Sequence, residues 1–512
     1  MKKLLLLCLP FATTIALAQK TEDAQKFAAL ITQQALQEKL TIIASAGMEG
    51  RETASPGQKK AAAYLEAQFR SIGLKPGNGN SYQQLFPVYQ DMLIEKKLSV
   101  NGKVFEWDKD FSFNMQTVVN GNWTFQNIVF AGYGLADSAN NINDYAGLEV
   151  KGKLVVVLDG GAVIPASGGF GGPYAAKINA ARKNGAAGLL IISQDLPRKT
   201  PANLKGRMTL QPSAAASNTN SLFVATISDE VAAALLGRTA KVDFAELKNS
   251  HKGIYASELK LTANKSSVTL ESSNVLGVLP GKDKKDEYVF ITGHYDHLGM
   301  NGDVIWYGAD DDGSGTVSVV QMAEAFKAAA RNGKGPRRSI VFMTVSGEEK
   351  GLLGSAYYAE HPTVSMDKTS ADLNIDMVGR VDTERETADT LNYVYVIGHD
   401  KLSSELPIIN EAVNTKYTKL VLDYKYDDPD DKNRIFYRSD HYNFAKKGVH
   451  ILFFYDGMLQ SDYHKPTDTI EKINFELMEK RVRMIFHTAW DISNKDEMLK
   501  RDIPLNPRTR LK

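Results

Sequence analysis

Cysteine is almost missing from this chain: among 512 residues the only one is Cys8. Neither a disulfide framework nor a thiolate metal site can be built, so any metal must be held by His, Asp and Glu. An excess of one charge sign is missing too. Lys and Arg number 61 against 60 Asp and Glu, a net charge of +1, which argues against a nucleic acid or an anionic membrane surface as partner. After the first twenty residues no stretch reaches the roughly 18 consecutive apolar positions of a membrane span. The start itself, MKKLLLLCLPFATTIALAQK, has a basic tip, a short apolar core and a small-x-small ending at Ala16-Leu17-Ala18. Residues 1–18 are therefore expected to be a secretory signal, and the mature protein to be exported, periplasmic or extracellular. A lipid-bearing Cys8 is the weaker alternative, because only four leucines precede it.

What is present is a globular composition, 43% hydrophobic and 24% charged, in a chain long enough for two or three domains. Residues 19–116 are mixed. The pattern predicts a helix over 26–37, a turn-rich loop at 48–57, and a helix carrying Ala61, Tyr64, Leu65, Phe69 and Ile72 on one stripe and stopping at Gly73. Residues 117–257 differ in character: strand-like NIVFAGYG and KGKLVVVLDGG, a Gly-rich GGFGGP, a helix, another apolar run AAGLLIIS, and a loop rich in Ser, Ala and Asn at 211–221. This block holds no cluster of His and acidic residues and neither phosphate-loop pattern, so a separate non-catalytic domain is expected. The charged GKDKKDE at 281–287 reads as a solvated hairpin turn. From 258 onward strands and helices alternate, the signature of an α/β sheet, and a last helix is expected over about 474–493.

The chemistry is concentrated at the ends of the apolar strands of this second half. One strand runs out into His294 and Asp296. A loop then brings Asp310, Asp311 and Asp312 before a Gly-Ser-Gly that opens a helix. SIVFMTV ends in Glu348 and Glu349, ADLNI leads to Asp376, and HILFFYDG leads to a loop with His464. Strand ends of this kind converge on one crevice in open α/β sheets. His294, Asp311, Glu349, Asp376 and His464 are too many ligands for one catalytic zinc, which takes three protein ligands and a water. Two metals sharing one carboxylate and a bridging water fit the set. Glu348 is left over beside a ligand, where a general base is needed to take the proton of that water. Asp310 and Asp312 read as helix-capping turn residues, and His297 as a satisfied loop histidine. His361, His399, His441 and His450 have no partner motif.

HYDHLG, GADDDGSG, SGEEKGLLGS, NIDMVGR and YHKPTDT, in this order, resemble the co-catalytic di-zinc aminopeptidases, a family with aminopeptidase S, aminopeptidase Y and glutamate carboxypeptidase types. The resemblance covers the C-terminal half and residues 53–76, and the 117–257 block resembles the protease-associated domain inserted in many members. It implies a mixed-sheet, phosphorylase/hydrolase-like three-layer α/β/α peptidase fold, built from residues 19–116 and 258–512. It implies that His294 and Asp376 hold one Zn2+ and Glu349 and His464 another, with Asp311 between them, Glu348 as base and Asp296 hydrogen-bonded to His294. It further implies a cis peptide between Asp311 and Asp312. In YRSDHYNF (437–444) it marks Arg438, Asp440 and His441 as substrate-binding.

The expected function is a secreted, zinc-dependent aminopeptidase acting on peptides with a free N-terminus. A carboxypeptidase or dipeptidase of the same family is the alternative within the class, with Arg438 the one obvious partner for a substrate carboxylate. A glutaminyl-cyclase-like acyltransferase uses a single zinc, and a non-catalytic binding protein on this scaffold loses ligands. The full set of five argues against both.

Overall fold

The computed structural model describes residues 22–505 except 114, 116–119, 162–173, 200–203, 213–221, 239–242 and 388. The expected secretory signal, Cys8, the GGFGGP loop and most of the 211–221 loop lie outside the described residues. Among the described residues no helix is long and apolar enough to cross a membrane. Two compact units emerge, Met1–Val88 with Glu271–Lys512, and Tyr89–Leu270. The change of composition lies at 117 and 257, whereas the chain passes between units within two long strands, Gln83–Val100 and Gly253–Leu279. Composition cannot mark the point at which a continuous strand changes partners.

The first unit is a mixed sheet. Its strands are β1 (Gly253–Leu279, by its last residues), β2 (Lys284–His294), β3 (Arg338–Val345), β4 (Thr369–Ile375), β5 (Tyr393–Ile397), β6 (Val421–Asp423) and β7 (His450–Tyr455), in the order β6-β5-β7-β4-β2-β3-β1. β2, β3, β4 and β7 are parallel; β1 and β5 run against them. Residues 281–287 are therefore not a hairpin turn: β3 lies between β1 and β2, so the two strands they join never pair.

Both faces of this sheet are covered, which is why its strands read as continuous apolar runs. One face, with Val289, Ile291, Phe342, Leu373, Val396 and Phe454, packs against helices α1 (Gln33–Ile43), α2 (Pro56–Ile72), α3 (Gly315–Arg331) and α4 (Phe475–Asn494). The alternate residues Phe290, Val341, Met343, Tyr395 and Phe453 face a second cluster with Tyr358 and Phe444. This is the expected three-layer α/β/α arrangement. The helix expected over 26–37 is two pieces, 22–28 and α1, because the Thr32 hydroxyl accepts from the Ala35 N–H and starts a new helix there. α2 follows its stripe and ends on left-handed Gly73, and Asn474 caps α4.

In the second unit Gly121–Phe130, Leu154–Leu158, Gly188–Ile192 and Phe223–Ile227 run parallel. Ala175–Lys183 is the expected helix. Apolar clusters cover both faces, with Val155 and Ile191 on one and Val156 and Ile192 on the other.

Candidate metal centre

Strand register brings the site together. β2 is flanked by two parallel partners, with His294 opposite Val345 and Thr292 opposite Asn374. The chain leaving β3 therefore presents Glu348 and Glu349 beside His294, and the chain leaving β4 presents Asp376. All lie at the carboxyl edge, where parallel sheets form their crevice. The aspartate loop is pulled across the same edge by hydrogen bonds. Asp312 accepts from the N–H groups of His294 (3.1 Å), Gly315 (2.8 Å) and Met377 (3.0 Å), so it fastens two strand ends to the start of α3. Gly315 is needed there, since a Cβ on it would stand 2.1 Å from the Ile375 carbonyl oxygen. Asp310 accepts from the Gly379 N–H (2.8 Å), and burial together with Asp456 and Asp468 pushes its carboxyl well above the usual range. The two aspartates are thus more than capping residues. The Asp311–Asp312 peptide is cis.

Asp311 stands at the centre. Its Oδ1 is 3.2 Å from His294 Nε2, and its Oδ2 is 3.1 Å from His464 Nε2. Around His294 Nε2, Asp376 Oδ1 lies at 3.6 Å and Glu348 Oε2 at 3.9 Å. Around His464 Nε2, Glu349 Oε2 lies at 3.0 Å. All five expected ligands are thus gathered, in two groups that share Asp311.

Charge and burial match a cation pair. His294, Asp311 and Glu349 are buried, and His294 Nε2, Asp311 Oδ2 and Glu349 Oε1 have no hydrogen-bond partner. Buried polar atoms left this way are costly unless something binds them. Two zinc ions, each taking an imidazole, a terminal carboxylate and one oxygen of Asp311, fit this donor set. Burial would raise the carboxyls of Asp311 and Glu349. His294 and His464 outweigh it at Asp311 and hold it well below its usual value, and His297 and His464 hold Glu349 at about 2. Burial would lower His464, but Asp311 and Glu349 raise it to about 10. The neighbouring Glu348 goes the other way, pushed well above the usual range by burial and by Glu349, Asp376 and Asp440 against the pull of His294. Adjacent glutamates driven apart in this way suit a ligand and a proton carrier.

Asp296 acts through several partners. Its backbone carbonyl, rather than its carboxylate, is the close partner of His294 Nδ1, at 3.0 Å against 3.7 Å. The carboxylate accepts from the Thr53 hydroxyl (2.6 Å) and from the Glu348 N–H (3.2 Å), so it fixes the backbone of the candidate base. Ser439 donates to Asp376 Oδ2 (2.6 Å) and Asp468 accepts from the N–H groups of Asp310 and Asp311. Buried Arg51 donates to the carbonyls of Tyr295, Tyr307 and Gly308, tying the two site loops together. None of Thr53, Ser439, Asp468 or Arg51 stands out in the sequence; Ser439 and Asp468 sit inside quoted motifs, which is their only signal.

A small cleft opens beside the centre, lined by Asp311, Glu348 and Asp376 and by Met377, Phe453 and Tyr455 among apolar neighbours. Arg438 lines it and donates to the Tyr463 hydroxyl (2.9 Å). Asp440 and His441 do not. Both are fully buried; the Asp440 carboxyl is raised to about 7 by burial, and His441, lowered to about 3 by burial, directs Nε2 to the Phe436 carbonyl (2.9 Å). His297, expected to be a satisfied loop histidine, is instead part of the centre: Nδ1 is 2.7 Å from Glu349 Oε1 and Nε2 has no partner. A lone histidine next to a ligand motif gives no such signal in sequence.

Residues 274–489 match the peptidase family M28. Among curated relatives, aminopeptidase YwaD of Bacillus subtilis (strain 168) is 27% identical over 233 residues, 44% of this chain and 46% of that protein, so the chain spans about half the length of this relative. An aminopeptidase from Aneurinibacillus sp. strain AM-1 superimposes with a TM-score of 0.55 at 19% identity, covering 94% of this chain and 100% of that one. BSAP, a zinc aminopeptidase from Bacillus subtilis, gives 0.51 at 19% identity over 92% and 99%. These likenesses to solved structures carry the fold.

Proposed function

We propose that this chain, whose residues 274–489 form a peptidase family M28 domain, is an exported zinc-dependent aminopeptidase. One observation carries the reading: the two oxygens of Asp311 face two different imidazoles, and a further carboxylate stands beside each. His294 and Asp376 would hold one zinc, Glu349 and His464 the other, with Asp311 shared. The zinc pair supplies Lewis acidity toward a peptide carbonyl and the attacking water.

The remaining work falls to the chain's own side chains. Glu348 Oε2, at the cleft wall and 3.9 Å from His294 Nε2, accepts the proton of the attacking water and returns it to the leaving amine. Asp296 keeps Glu348 in place through the backbone N–H and orients His294 through its own carbonyl. Ser439 does the same for Asp376. The apolar wall of Met377, Ile435, Phe453 and Leu459 receives the side chain of the N-terminal residue. The unit Tyr89–Leu270 is read as an inserted protease-associated domain, and residues 1–18 as the export signal.

The test combines zinc analysis with hydrolysis of a peptide panel. About two zinc ions per chain, release of single N-terminal residues and no action on N-terminally blocked peptides are expected. Release of C-terminal residues from blocked peptides would replace the reading by a carboxypeptidase, and a chain that binds no zinc would end it.

A further inference from the structure

Three imidazoles, not two, approach the Asp311–Glu349 pair. His297 is fully buried, as are Tyr295 and Asp296 before it. Its backbone N–H donates to the Arg51 carbonyl (3.1 Å), and Arg51 in turn holds the Tyr295 and Gly308 carbonyls. Room for the ring is made at Gly308: a Cβ there would stand 2.5 Å from His297 Cγ and 2.6 Å from Cδ2, and φ is +55°. The chain thus gives up a side chain at 308 to hold an imidazole against Glu349.

We propose that His297 is a positioning residue for the second zinc site, holding Glu349 through Oε1 so that Oε2 is the oxygen turned to the metal beside His464. Distances favour this role over direct ligation. Two ligands at about 2.0–2.2 Å on one tetrahedral zinc stand about 3.3 Å apart. His464 Nε2 meets Glu349 Oε2 at 3.0 Å and Asp311 Oδ2 at 3.1 Å, close to that spacing. His297 Nδ1 departs further from it, at 2.7 Å from Glu349 Oε1 and 4.0 Å from Asp311 Oδ2. His297, Asp311 and Glu349 also form a group that could hold an ion, so direct ligation is the outcome the titration must exclude. The 2.7 Å contact is short but not aligned as a hydrogen bond, and neither ring nitrogen has another hydrogen-bond partner. The two imidazoles therefore divide the carboxylate, one oxygen each. Partners that orient metal ligands in this way are typically worth 10–100-fold in metal affinity.

The inference rests on the two-zinc reading above, and its test keeps the two apart. Full-length chain is stripped of metal and titrated with zinc against a competing chelator. The wild type is expected to take two ions. In His297→Leu the first ion should bind with wild-type affinity and the second about 10–100-fold more weakly. In His297→Asn, whose amide nitrogen replaces Nδ1, the second affinity should return most of the way. His297→Gln, which moves the amide one bond outward, should not restore it. Wild-type affinities in His297→Leu would overturn the inference while leaving the two-zinc reading intact. Equal and complete loss of the second ion in both the Leu and Asn variants would overturn it in favour of direct ligation. A wild type that binds fewer than two ions would remove the reading and the inference together. If His297→Leu does not fold, the Asn and Gln pair decides alone: equal second-site affinities in the two overturn the inference.

Discussion

The two units are built alike and end differently. Each has a parallel set of strands buried on both faces, with Val289, Ile291 and Phe342 in one matched by Val155, Leu189 and Ile191 in the other. In the second unit the strand ends lead to satisfied groups. Asp159 accepts from Gly160 and Tyr174, and Ser228 caps the following helix. In the first unit the corresponding edge collects His294, Glu348, Glu349 and Asp376, with buried polar atoms that no protein group satisfies. Among the described residues the same architecture ends in paired groups at these positions in one unit and in a candidate metal centre in the other. The difference lies in what the chain leaves unpaired beyond the strand.

The comparison can be broken most severely at Asp311. Asp311→Ala should remove both zinc ions, with hydrolysis falling to background; metal analysis finding two ions still bound would show that Asp311 is not shared. Glu348→Gln comes next. It should keep both ions and lose about 10²–10⁴-fold in kcat, and near-normal turnover would dismiss Glu348 as the proton carrier. Damage to the other unit should be of a different kind. Ile191→Ala, in a fully buried position, is expected to cost about 2–5 kcal/mol in denaturant unfolding with zinc content unchanged. Loss of zinc in that variant would mean that the units are not energetically separate.

The most gradual effect expected is on acid stability. His441 is held neutral in the fold down to about pH 3, against about 6.5 in the unfolded chain. Between those values the unfolded state binds the extra proton, so stability is full above about 6.5 and falls as pH drops toward 3, by at most about 1.4 kcal/mol per pH unit from this residue. His487, lowered to about 4, and His450 add in the same direction, and both lie in the first unit. The one histidine of the second unit, His251, is exposed. The buried carboxyls of Asp372 and Asp440, raised to about 8 and about 7, act in the opposite direction. The check is therefore on this residue alone: His441→Phe should flatten the acid slope measured by pH-dependent unfolding.

Much of this was legible in the residues. The apolar runs of β2, β3, β4 and β7 are long enough and bounded clearly enough to be placed, and the ligand types at their ends follow at once. Where the sequence misled, a single local pattern was compatible with two tertiary outcomes. A charged turn between two strands reads as a hairpin unless one knows that β3 fills the gap. Asp440 and His441 sit in a motif that reaches the centre, yet it is Ser439 that touches Asp376, while its two successors turn into the core.

The sequence by itself determined the α/β class and marked five candidate ligand side chains and a spare glutamate, because apolar periodicity and residue chemistry are local properties. Only the tertiary structure decided that Asp311 faces both imidazoles, that Asp296 reaches Glu348 through its backbone, and that His297 belongs to the centre. Those depend on distances between residues tens to hundreds of positions apart, set by strand register and by buried groups such as Arg51 that tie loops together. No local pattern encodes them.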